Sequence, residues 1–389
     1  MKKTISFMMF IIMLSCSIDR RYPKQDKTFE VIECKDEFIS LADSLNFHFI
    51  PLETTEACLI GSISDIRITN NRIYILEGKK SEDLLVFDLN GRFITKVGEK
   101  GNGPENYVKI SDFDIDTANN RIAISDKHRQ RMLFFNLDTY RFKYAQNTDF
   151  YYSDFICMPD RQTLFFGCNG FRNPKKRDDP DLYYIQMVDS SFTPESVFLN
   201  AGFTTPYTTS VKPGKTHLYK TGNDAINIYH HLFPEVWKYA NGKCEPKYLI
   251  QFENHAFPDL NYLKGEASSQ NVDRDYANAL NGSNFITAYR IDECSDLICF
   301  SIQKNLMPIQ AIYHKKQKKG YLLSLKDYFR SMNIGMLMFP AGSTDDCIIG
   351  VIPMNEDLEH IKKGTLLYPV VKDKNPEDNP VICLYKWKH

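Results

Sequence analysis

The sequence predicts an all-β protein, a six-bladed β-propeller of four-stranded antiparallel blades closed into a ring by an N-terminal strand. Three observations carry this. Blocks of sequence recur in the same order at nearly constant spacing. Tyr and Phe are abundant, 22 and 27 of 389 residues, as suits half-buried pleated surfaces. An apolar strand near the N-terminus also lacks a partner in its own repeat.

The first repeat holds Ile63-Ser64-Asp65-Ile66, Asn70-Asn71-Arg72-Ile73 and Leu84-Leu85-Val86-Phe87. These reappear at Ile110, Asn119 and Met132, shifted by 47, 49 and 48 residues. A weaker third copy starts at Ser153-Asp154-Phe155. Each unit reads as four short strands joined by turns, with Asn90-Gly91 giving a strong hairpin signal. Four-stranded units repeating every 40–50 residues or so are the signature of a propeller, because one unit cannot cover both of its faces. A β-sandwich, the alternative, has no reason to repeat Ser-Asp-apolar at fixed spacing.

Later units are less regular. Ile226–Tyr229, Glu235–Tyr239 and Tyr248–Ile250 mark a fourth blade. After an insertion over Pro258–Asn284, a fifth spans Phe285–Arg290, Leu297–Ile302 and Ile309–Tyr313. Met336–Phe339, Cys347–Ile352 and Val381–Trp387 mark a sixth, with a short helix expected at Glu356–Lys363. The sixth blade is one strand short. Phe47–Glu53 is expected to pair near Val381–Trp387 and so cover an exposed strand edge. The propeller therefore occupies residues 47–389, in one domain.

The N-terminus reads as an address. Lys2-Lys3, an apolar run from Ile5 to Leu14 and then Ser15-Cys16 describe a secretory signal over residues 1–16. The run is too short to span a bilayer, which takes about 20 apolar residues. Leu14-Ser15-Cys16 resembles a bacterial lipobox, so Cys16 is expected to be lipidated. A diacylglyceride-type modification supplies the two acyl signals that stable anchoring takes. Residues 17–46 then form a tether and lead-in, polar and aperiodic to residue 28. The expected location is the bacterial cell envelope, lipid-anchored to a membrane on its periplasmic or outer face.

Nine further cysteines contain no Cys-x-x-Cys and are odd in number, which reads as small buried residues rather than a disulfide framework. Charge is balanced, 48 basic against 49 acidic residues, which argues against nucleic acid as a partner.

The blocks resemble the six-bladed β-propeller lipoproteins abundant in gut-type bacteria, themselves similar to NHL-repeat propellers. The resemblance rests on Phe49-Ile50-Pro51-Leu52-Glu53-Thr54, on Val86-Phe87-Asp88-Leu89-Asn90-Gly91-Arg92-Phe93, on the linker Gly98-Glu99-Lys100-Gly101-Asn102-Gly103-Pro104 and on Asn379-Pro380-Val381-Ile382. It implies the fold and an envelope location, and no reaction.

Candidate chemistry is sparse. Gly98-x-x-Gly101-x-Gly103 lacks the following helix of a dinucleotide site and reads as an inter-blade turn. Asp112-Phe113-Asp114-Ile115-Asp116 places three carboxylates on one strand face. It imitates an EF-hand start, but Thr117 and Ala123 stand where that loop needs Gly and Glu. Asp65, Asp112 and Asp154 are expected to recur on inner strands and accept bonds from turn amides. No cofactor is expected, Ca²⁺ being weighed and not favoured, and no metal cluster has usable spacing. Loops between second and third strands share a face with the inter-blade linkers. They would present Lys127, His128, Arg129, Arg172, His230 and His231 as a ligand-binding rim for an acidic glycan or carboxylate-bearing peptide. His230 and His231 equally suit opposite faces of a strand, one buried and one exposed. No catalytic set is defensible. The leading expectation is a non-catalytic, membrane-anchored propeller that binds a ligand or protein partner at its axial face, with an envelope protein complex as one setting. A propeller lyase or hydrolase, Ca²⁺-dependent in one form, is the alternative.

Overall fold

The computed structural model describes residues 28–202, 217–222, 225–264 and 281–388. Cys16, the signal segment, nearly all of the 17–28 tether and the middle of the 258–284 insertion lie outside them. The chain begins with β1 (Glu30–Lys35), α1 (Leu41–Ser44) and β2 (Leu45–Pro51). Blade one follows with β3 (Ile63–Thr69), β4 (Arg72–Glu77), β5 (Leu84–Asp88) and β6 (Phe93–Val97). Blade two holds β7 (Asp112–Asp116), β8 (Arg121–Asp126), β9 (Arg131–Asn136) and β10 (Phe142–Asn147). Blade three holds β11 (Asp154–Cys157), β12 (Thr163–Phe171), β13 (Tyr183–Val188) and β14 (Pro194–Asn200). Blade four comprises β15 (Leu218–Thr221), β16 (Ala225–Tyr229), β17 (Glu235–Ala240) and β18 (Lys243–Phe252), with α2 (Leu260–Lys264) after it. Blade five comprises β19 (Ala288–Glu293), β20 (Leu297–Lys304), β21 (Met307–His314) and β22 (Lys319–Ser324), leading into α3 (Leu325–Met332). Blade six holds β23 (Phe339–Ser343), β24 (Ile348–Ile352) and β25 (Val381–Trp387), with α4 (Tyr368–Val371) inserted.

The expected closure is present. β2 pairs antiparallel with β25 from Leu45↔Trp387 to Pro51↔Val381, supplying the outer strand of blade six. Gly91, at φ +80°, makes the β5–β6 hairpin turn, and a Cβ there would lie 2.1 Å from the Pro51 carbonyl oxygen. That close approach locks blade one onto the closing strand through the Glu53 amide, which donates to the Gly91 carbonyl at 2.8 Å.

The lead-in holds a strand that its polar sequence does not announce. β1 lies between the outer edges of blades four and five, parallel to both β18 (Glu30↔Tyr248 to Cys34↔Phe252) and β22 (Cys34↔Gly320, Lys35↔Tyr321). It fuses the two blades into one nine-stranded sheet. Ile32 and Cys34 point inward while Glu33 and Lys35 face solvent. Gly320 is required by this contact, since a Cβ there would sit 2.3 Å from the Glu33 carbonyl oxygen. The inner strand β15, the outer strand β22 and α3 are likewise not announced by the sequence, and the short helix expected at Glu356–Lys363 is a 3₁₀ helix over Glu356–His360.

Among the described residues, buried apolar clusters fill the space between neighbouring blades. Between blades one and two lie Tyr74, Leu76, Val86, Phe113, Ile124 and Phe135. Between two and three lie Phe134, Tyr152, Phe155, Phe165 and Phe171. Each such side chain contributes roughly 1.5–3 kcal/mol by burial, so the aromatic excess is the mortar of the ring. Among the described residues Phe38, Tyr144, Tyr151, Phe329 and Phe339 are exposed exceptions, Tyr151 the most so at 79% beside the buried Tyr152. The nine described cysteines are all unbridged, and only Cys244 and Cys347 are not fully buried.

Two polar devices fix the linkers. Glu77 ends β4 with its carboxylate inside a loop, accepting from the amides of Gly61, Ser62, Lys79, Lys80, Ser81 and Glu82. Asp126 stands at the equivalent end of β8 and accepts from the Val108 amide at 3.0 Å. Asn379, just before β25, bonds Ile60, Glu53 and Cys58 of the linker into blade one.

Candidate functional site: the axial cavity and the histidine cluster

The six inner strands surround a cavity of about 460 Å³. Its walls are the second halves of those strands and the turns that follow them. It therefore opens on the face carrying the first-to-second-strand turns, opposite the second-to-third-strand loops. Volumes of roughly 300–1,000 Å³ are typical of small-ligand sites.

Its lining is charged. Arg67 on β3 reaches Asp114 on β7 at 2.8 Å, Asp65 at 3.5 Å and Asp112 at 3.9 Å. Lys220 on β15 contacts the other Asp114 oxygen at 3.0 Å, and the Cys157 amide donates to it at 2.8 Å. Arg290 and Asp292 pair on β19 at 2.9 Å. Asp345 and Asp346 stand exposed at the mouth. The lining counts Asp65, Asp114, Asp116, Asp292, Asp345 and Asp346 against Arg67, Lys220 and Arg290. It is acidic on balance. Lys220 is 40% exposed while its partner Asp114 is 2% exposed, so among the described residues of the lining its ammonium is the most open cation.

Neighbours decide ionisation here. Burial opposes charge on Asp114, but Lys220, Arg67 and the Cys157 amide hold its carboxyl below the usual range. Burial raises Asp292 despite Arg290. Burial also pushes Asp112 up to about 7; Arg67 pulls it down, and the carboxylates of Asp154 and Asp65 push further up. A carboxyl titrating higher in the folded than in the unfolded chain favours the fold when protonated. Stability from this group is complete below about pH 4 and falls as pH rises towards about 7. Asp112→Asn, which keeps an acceptor for the Phe113 amide, should match wild type near pH 4 and exceed it by about 1–3 kcal/mol at pH 8. Urea unfolding at both pH values measures this; equal differences at the two would disprove it.

The expected recurrence of inner-strand aspartates holds in position and differs in partner. Asp65 and Asp112 accept from the next strand amide rather than from turns, and both meet Arg67. Asp154 accepts from the amide and ring of His217, 63 residues away. Asp116 alone of the three carboxylates on β7 serves a turn, accepting from the Asn119 amide at 3.1 Å and from Arg121 at 2.6 Å. The EF-hand-like spacing thus meets side-chain cations: Arg67 and Lys220 stand on the carboxylates that an axial metal would use.

The predicted basic rim does lie on second-to-third-strand loops, at the far end of the axis from the cavity mouth. The structure gives its members different surroundings. Lys127 donates to the Ser153 carbonyl at 2.7 Å and stands over the Tyr152 ring. Arg129 is spent on the glycine-rich linker, donating to Gly101 and Asn102 at 3.0 and 2.8 Å. His128 and Arg172 are exposed. His230 and His231 are both buried, 4% and 3% exposed, because they follow the end of β16 in a turn rather than alternating along a strand.

That turn builds a cluster absent from any sequence spacing. His231 Nδ1 lies 2.9 Å from His217 Nε2, and His217 Nδ1 meets Asp154. The His230 and His231 rings stack at 4.6 Å, walled by Phe166, Tyr184 and Phe233. Cys168 on β12 approaches, accepting from Ser153 Oγ at 3.5 Å.

Residues 21–351 match the family described as "6-bladed beta-propeller". Among solved structures, a protein described as exported, from Bacteroides fragilis, is 24% identical at a TM-score of 0.82, covering 92% of this chain and 100% of that one. A member of the duf4221 family from Bacteroides vulgatus is 12% identical at a TM-score of 0.51, covering 90% and 99%. These similarities concern the fold. No curated protein matches by sequence. Repeats, closure and family match agree, and the chain belongs to this family of six-bladed β-propellers.

Proposed function

We propose that the protein is an exported, lipid-anchored envelope propeller that binds a small polar ligand in its axial cavity without transforming it. One observation carries the binding reading: the reachable Lys220 ammonium held on the buried Asp114 carboxylate inside an open cavity. An acidic lining rich in acceptors, with one accessible cation among the described residues, suits a hydroxyl-rich or amine-bearing ligand such as a neutral or amino-sugar glycan. Acidic ligands, the sequence-based expectation, are better served by His128 and Arg172 at the opposite end. Support for export comes from the signal-like residues 1–16 and from the exported Bacteroides fragilis protein of the same fold. Among the described residues no helix is long and apolar enough to cross a membrane. The anchor therefore rests on Cys16.

A glycan array with neutral, amino and acidic sugars tests the reading, followed by calorimetry on the best hit. Lys220→Met should weaken a cavity ligand at least tenfold, about 1.4 kcal/mol, while Arg172→Ala should not. Loss of binding in Arg172→Ala with Lys220→Met unaffected would move the site to the basic end.

A further inference from the structure

We propose that Cys168, His230 and His231 form a buried site for a borderline or soft transition-metal ion, Zn²⁺ above all. The inference is independent of the cavity ligand. A sulfur and one ring nitrogen from each histidine lie within 4.8 Å of one another, on residues 3–4% exposed. Among the described residues this is the group of potential ligands close enough to share an ion. Thiolate and imidazole donors without a carboxylate select Zn²⁺ or Cu⁺ over Mg²⁺ or Ca²⁺.

The surroundings are those of a metal-ligating imidazole. With the Asp154 carboxylate accepting from His217 Nδ1–H, His217 Nε2 is left to accept from His231 Nδ1–H. That chain fixes the His231 tautomer and the orientation of its ring. A carboxylate acting through hydrogen bonds to orient a ligating histidine is a recurrent outer-shell arrangement. His230 Nδ1 accepts a long bond, 3.2 Å, from the Leu232 amide. Tetrahedral Zn²⁺ holds N and S ligand atoms ~3.3–3.7 Å apart, so loading draws the three groups together by about an ångström. Cys168 loses its thiol proton on loading, and that proton leaves to solvent. The donors come from neighbouring blades, Cys168 from blade three and the histidines from blade four, so the ion would rivet the two together.

The test uses the mature chain, stripped with chelator and titrated with Co²⁺ and then Zn²⁺. Expected are one equivalent of Co²⁺ per chain, an intense near-ultraviolet sulfur-to-cobalt charge-transfer band, tetrahedral d–d absorption, and stoichiometric displacement by Zn²⁺. Cys168→Ser should abolish the charge-transfer band, and His231→Gln should weaken Zn²⁺ affinity at least a hundredfold. X-ray absorption of the wild-type zinc form, expected to show one sulfur and two imidazole nitrogens, decides the matter even if a variant misfolds. Absence of the band in wild type, its survival in Cys168→Ser, or a different donor set would overturn the proposal and leave a hydrogen-bonded cluster.

Discussion

Replacing Asn379 by alanine is expected to destabilise the protein by roughly 3–5 kcal/mol. The side chain is fully buried and touches no ligand site. Its Oδ1 accepts from the Ile60 amide at 2.8 Å, and its Nδ2 donates to the Glu53 and Cys58 carbonyls at 2.6 and 2.8 Å. Alanine leaves the Ile60 amide and the Cys58 carbonyl without their partner, and the Glu53 carbonyl with the Cys58 thiol at 3.3 Å alone, in a site closed to water. Aspartate would do no better, since a carboxylate would face two carbonyls. These bonds join the start of β25 to the linker between β2 and β3, across the point where the ring closes. Deleting residues 379–389 goes further: it removes β25, strands β2 at its register from Leu45 to Pro51, and should abolish the cooperative unfolding transition. Urea unfolding followed by circular dichroism measures both. A loss below about 1 kcal/mol for Asn379→Ala would show that β-strand pairing alone closes the ring.

Glu77→Gln should be nearly as severe, about 3–4 kcal/mol. Six amides converge on the Glu77 carboxylate, with N···O distances from 2.7 to 3.1 Å. Glutamine keeps one oxygen and turns an NH₂ towards amides that are themselves donors. Burial opposes ionisation of Glu77, yet the amides of Glu82, Lys79, Ser62 and Lys80 hold its carboxyl below the ordinary value of 4.5. A depressed carboxylate stabilises the fold above the unfolded value and loses that contribution as pH falls through the folded one. The variant's deficit should therefore be complete at pH 7 and shrink below about pH 4.5. Cleavage within residues 78–83 by a low dose of protease should accelerate in parallel. A deficit independent of pH would show that shape, not charge, organises the loop.

What the sequence made legible was local or repeated. Each strand of blades one and two alternates or runs apolar over five to seven residues, and the ordered shifts tied them to one another. Closure was readable because Phe47–Leu52 was an apolar strand without a partner. β1 was not, because Glu30-Val31-Ile32-Glu33-Cys34-Lys35 buries only alternate residues in a gap made by two distant blades. β15 has four residues, one of them Lys220, and offers no period. The sites were harder still. Asp112, Asp114 and Asp116 were visible as an acidic strand face. The cations on Asp112 and Asp114, Arg67 and Lys220, come from other blades, 47 and 106 residues from Asp114. The histidine pair was noticed, but nothing near it in sequence points to Cys168, Asp154 or His217. Convergence at a propeller axis is a property of the ring, and no single repeat encodes it.

The parallel seating of β1 gives the molecule a direction in which it can be pulled. β1 runs with β18 and β22, the outermost strands of blades four and five, which travel away from the cavity face. The N-terminal end of β1 therefore stands at the outer wall on the cavity side. Tension applied at that end acts parallel to the strand, so the hydrogen bonds to β18 and β22 share the load in shear instead of parting one after another. A leash fastened this way resists force where an end-on hairpin would peel.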